Sequence, residues 1–75
     1  MTFEECCSKI VAGSRDPKQA KQLHYAFNYA RTGMSMTDSV TQKVQAIYIL
    51  NNISRWRGDE ARAVRAALKK IGGVK

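Results

Sequence analysis

The sequence predicts an all-α protein, a compact four-helix domain with a central, broadly apolar third helix, and three observations carry that prediction. Apolar residues recur three and four positions apart in four successive stretches, the period of a helix with one buried face. All six acidic residues, Glu4, Glu5, Asp16, Asp38, Asp59 and Glu60, fall where those stretches begin. Carboxylates there complement the helix dipole. Glycines stand at the other ends, at Gly13, Gly33, Gly58 and the pair Gly72 and Gly73, where a left-handed residue commonly stops a helix.

Each element has its own signals. The first helix is predicted over residues 2–12, because Thr2-Phe-Glu-Glu5 has the form of a capping box, and Phe3, Cys6, Cys7 and Ile10 share one face. The second is predicted over 16–32. Asp16 serves as its cap, Pro17 occupies the first helical position where a missing N–H costs nothing, and Ala20, Leu23, Phe27 and Ala30 form the inner stripe. The third is predicted over 37–57, capped by Ser35 or Asp38. Val40, Val44, Ala46, Ile47, Ile49, Leu50 and Ile53 sweep more than half its circumference, leaving a polar stripe of Thr41, Gln45, Asn52 and Arg55. An arc this wide implies burial on several sides. The fourth is predicted over 59–71, with Ala61, Val64, Ala67, Leu68 and Ile71 inside.

The chain has 75 residues, near the lower size at which an apolar core suffices without disulfides, metals or self-association. A homodimer is therefore an expectation, since three short helices leave the third incompletely covered. A hydrophobic content of 44% with 25% charged residues is that of a globular domain. The longest nearly apolar run, Ala46 to Leu50, is far below the roughly 20 residues of a membrane span, so no membrane insertion is expected. Cys6 and Cys7 are adjacent, a spacing that disfavours a disulfide between them. Reduced thiols in a cytoplasmic protein are the simplest reading, with the cysteines acting as small apolar residues.

Charge placement carries the functional reading. The formal charge is +7, which favours a polyanionic partner. With every acid at a helix start, long stretches of surface hold only basic charge. Seven basic and two acidic residues lie from Arg55 to Lys75, against six basic and four acidic before them. Arg62, Arg65 and Lys69 are spaced for one helix face, Lys70 follows, and Arg55 and Arg57 flank Trp56 just before. Basic residues on one face beside an aromatic are what phosphate contact requires. A solvated face accounts for Lys69 and Lys70 through the helix dipole but not for Arg62 and Arg65, which lie too early.

Other motifs compete with this reading. Gly58 sits where a helix-turn-helix would turn, but charged Arg57 and Asp59 on either side of it speak against that motif. Trp56 is either a base-stacking contact or, as is commoner, the plug that closes the end of a small core. Tyr25 and Tyr29, one turn apart with Lys18, Lys21 and Asn28 nearby, form a second candidate contact surface. His24 lacks a carboxylate neighbour in sequence and has asparagine four residues on, which argues against a catalytic base or metal ligand. The glycines mark helix ends and do not form a phosphate loop.

The reading is a small basic, non-catalytic nucleic-acid-binding accessory or regulatory protein, without cofactor or metal. Arg55, Arg57, Arg62, Arg65, Lys69 and Lys70 contact DNA or RNA in this reading, with Trp56, Tyr25 and Tyr29 as aromatic contacts. The competing reading is an interaction module or inhibitor that docks an acidic protein or self-assembles.

Overall fold

A computed structural model describes residues 1–74, and Lys75, one of the basic residues counted above, lies outside the described residues. The four helices are α1 (Phe3–Ser14), α2 (His24–Gly33), α3 (Ser39–Asn51) and α4 (Asp59–Gly72). The protein is an all-α four-helix domain. Helix α1 packs on α2 and α4, and α3 packs on the same two, so the four close into a ring. No helix among the described residues is long and apolar enough to cross a membrane.

Local chemistry sets three of the four starts. Thr2 and Glu5 exchange the two hydrogen bonds of a capping box, each 3.1 Å. The Asp38 carboxylate accepts from the Thr41 N–H at 2.9 Å and the Thr41 hydroxyl at 2.8 Å. Helix α4 follows Gly58, whose φ of +113° is open to glycine and strained for any other residue. Asp59 and Glu60 fill its first turn.

Side chains from every helix build the core. Phe3, Cys6, Cys7 and Ile10 come from α1; Ala26 and Ala30 from α2; Ala46 and Ile49 from α3; Ala61, Val64 and Leu68 from α4. Small residues on α2 bring it close to α1. A Cβ added at Gly33 would stand 3.0 Å from the Cys7 sulfur and the Phe3 ring, a separation that only glycine tolerates without movement of its neighbours.

Three expectations about the elements are corrected. The second helix begins at His24, not at residue 16. Asp16 does cap, accepting from the Lys18 N–H and the Gln19 side-chain amide at 3.0 and 2.7 Å, but the result is a set of turns that ends at Leu23, with φ −108° and ψ 5°. Leaving the helical path lets Leu23 become fully buried. The third helix stops at Asn51 instead of Arg57. The Asn52 side chain donates to the Tyr48 carbonyl at 2.7 Å, and residues 52–58 fold back so that both Ile53 and Trp56 enter the core. Seven residues thus separate α3 from α4, more than the three or four of a helix-turn-helix.

The third correction concerns which side of α3 is inside. Its buried residues are Gln45, Ala46 and Ile49, whereas Val40, Val44, Ile47 and Tyr48 are 69%, 47%, 36% and 50% exposed. Helix α3 is a side of the ring, not its centre. Gln45, assigned to the polar stripe, is accommodated because its amide donates to the Tyr29 carbonyl at 2.8 Å, which satisfies a polar group that would otherwise be costly to bury.

Candidate nucleic-acid interface

Two irregular segments, 15–23 and 52–58, meet through one side-chain hydrogen bond. Trp56 is 2% exposed, and its indole N–H donates to the Gln19 side-chain oxygen. A buried indole N–H needs such an acceptor. The pairing joins residues 37 positions apart and brings Lys18 beside Arg55 and Arg57. These three cations surround a depression of about 110 Å³ whose remaining lining is Gln19, Gln22 and Trp56.

The electrostatics of this depression are one-sided. It has no acidic lining residue. Asp16, close in sequence, is turned to the Gln19 side chain and the Lys18 N–H, and those hydrogen bonds hold its carboxyl below the usual range. Arg57 donates once to the Ser54 carbonyl at 2.6 Å, leaving the rest of its guanidinium fork for a partner. The Lys9–Glu60 contact at 3.8 Å is the single ion pair among the described residues. The depression can therefore take one anionic oxygen group between three cations.

The six predicted basic contacts fall into different environments. Arg55, Arg57, Arg62, Lys69 and Lys70 are exposed. Arg65 is partly buried, and its guanidinium donates to the carbonyls of Ile53 and Trp56. It fastens the 52–58 segment to α4 and is not a free contact. Lys69 and Lys70 occupy the last turn of α4, where the dipole favours them, and neither lines the depression.

The aromatic expectations are likewise divided. Trp56 closes the core and offers no free face for stacking. Tyr25 is 73% exposed and meets His24 edge-on at 5.3 Å. Tyr29 stacks on Tyr48, with centroids 5.8 Å apart and planes at 26°, an arrangement that ties α2 to the outer side of α3. Lys18, which sequence reasoning assigned to the surface of Tyr25 and Asn28, belongs instead with Arg55 and Arg57. The one sequence signal for that pairing was the need of Trp56 for a hydrogen-bond acceptor.

No protein-family model, curated protein or solved structure matches the chain.

Proposed function

We propose that this protein is a small, non-catalytic nucleic-acid-binding accessory or regulatory protein, and that phosphates seat first at the Lys18, Arg55 and Arg57 depression. The observation that carries the reading is the convergence of these three cations from two segments far apart in sequence, without a lining carboxylate. Arg62, exposed on the first turns of α4, extends the contact, and Lys69 and Lys70 add long-range attraction. Arg65 acts indirectly by holding Arg55 and Arg57 in place.

Fluorescence anisotropy with labelled duplex DNA and RNA tests this. If four phosphates are contacted, affinity falls about a hundredfold between roughly 50 and 200 mM salt. The Arg55→Glu/Arg57→Glu double variant should lose more affinity than Lys69→Glu/Lys70→Glu, although the two change net charge equally. Equal losses would reduce the depression to a share of the general positive field, and unchanged binding in the first variant would remove it from the interface. Arg65 is left intact in this design, because its replacement also disturbs the fold.

A second reading has its own observation in its favour. Val40, Val44, Ile47 and Tyr48 form a continuous exposed apolar stripe on α3, at the spacing by which helices pair. Self-association through this stripe makes the protein a homodimer. Sedimentation at several concentrations checks it, and a monomer throughout the micromolar range would sink it.

A further inference from the structure

A cleft between α1 and α2 lies apart from the depression described above and shares no residue with it. Its apolar lining is Val11, Ala20, Phe27 and Met34, and Arg15, His24 and Arg31 line it beside them. The volume is about 760 Å³, within the range of small-molecule sites. Along α2 the cleft runs from His24 to Met34, about 15 Å at the rise of a helix. No acidic side chain lines it, and neither arginine is paired with a carboxylate among the described residues.

We infer that this cleft binds an amphipathic organic acid, one carboxylate on an acyl or aryl body. The carboxylate matches the guanidinium fork, which offers two parallel N–H donors, and the body covers Phe27 and Met34, side chains otherwise left partly in water. Arg15 caps the end of α1 and Arg31 lies in the last turn of α2. The helix dipoles account for a cation at each helix end, but not for both of them lining one cleft with an apolar lining and no carboxylate. A bare inorganic anion would leave the apolar lining uncovered, and a neutral amphiphile would leave the arginines without a partner.

Amide NMR of the full chain titrated with decanoate tests the inference, with decanol and acetate as matched controls. Shifts should concentrate on residues of the cleft, with decanol and acetate each binding at least about tenfold more weakly. Decanol lacks the hydrogen bond to a charged group, which contributes about that much or more, and acetate lacks the apolar body, whose burial adds to affinity with each methylene. The Arg15→Ala/Arg31→Ala double variant should weaken decanoate about tenfold or more, whichever fork holds the carboxylate. Both residues are exposed, so the fold survives their loss. The Lys69→Ala/Lys70→Ala variant should bind decanoate as the parent does, and so should Arg55→Glu/Arg57→Glu, which separates this site from the nucleic-acid surface. Shifts spread over the whole basic surface, equal binding of decanol, or no loss on removing Arg15 and Arg31 would each overturn the inference.

Discussion

The guanidinium of Arg65 joins α4 to the segment that carries Arg55, Trp56 and Arg57, by donating to the carbonyls of Ile53 and Trp56. These carbonyls belong to buried residues, so losing their donor costs more than an average hydrogen bond. A bond to a charged group contributes about 1.5–3 kcal/mol, a large fraction of the roughly 5–15 kcal/mol by which a small domain is stable. Arg65→Ala should therefore lower stability by about 2 kcal/mol and the melting midpoint by about 10 °C. Arg62→Ala, an exposed arginine on the same helix, should change neither by much. Thermal and urea unfolding followed by circular dichroism distinguishes the two, and equal stability of the variants would contradict the role given to Arg65. The cysteines make a second prediction at this scale. Burial, with Cys6 and Glu4 adding to it, pushes the Cys7 thiol from 9.0 up to about 12. Between those values the unfolded chain gives up its proton while the folded chain keeps it, so stability is intact below pH 9.0 and is lost as pH rises toward about 12. The Cys7→Ala variant should show a shallower decline across that window, whatever fixed offset its small cavity adds. A parallel decline in both proteins would mean that Cys7 does not set the alkaline limb.

At the scale of elements, legibility followed how local the deciding chemistry is. The capping box of α1, the Asp38 cap of α3 and the acidic first turn of α4 all depend on residues within four positions of one another; the first and last are read directly, and the cap of α3 narrows to Ser35 or Asp38. The interruptions at 15–23 and 52–58 are not legible in this way. Asp16-Pro17 with Gln19 is the start signal of a helix, and the apolar spacing runs on through Ile53; what breaks both elements is the demand that Leu23, Ile53 and Trp56 all be buried, met by a contact between Gln19 and Trp56 across 37 positions. The facing of α3 is not legible for a related reason. Periodicity identifies the apolar arc but not which part of it meets neighbours, and here Ala46 and Ile49 pack inward with Gln45 while Val40, Val44 and Ile47 face out. Consequently the basic candidates of 55–57 were correctly listed as exposed charge, while their companion Lys18 was placed with the wrong group and Arg65 was given a contact role in place of a fastening one.

For the whole molecule, net charge and the outer stripe of α3 pull in opposite directions, and salt tells them apart. Two chains of formal charge +7 repel when brought together, with a field that reaches about 10 Å at 0.1 M salt and about 3 Å at 1 M. Association through Val40, Val44, Ile47 and Tyr48 removes apolar area from water, at about 25 cal/mol per Å² before the entropy of association is subtracted, and this gain does not weaken as salt screens the charges. Self-association should therefore strengthen with added salt, whereas nucleic-acid binding should weaken. Val44→Glu places a carboxylate at the middle of the stripe, on a residue 47% exposed, so helicity and monomer stability should be retained. Sedimentation velocity of the two proteins at low and high salt would then show a salt-promoted dimer for the parent and a monomer for the variant. If the variant associates as the parent does, contact runs through another face. If the parent stays monomeric at high salt, the stripe is solvent-facing surface, and α3 contributes to function only by supporting the ring that holds the two basic segments together.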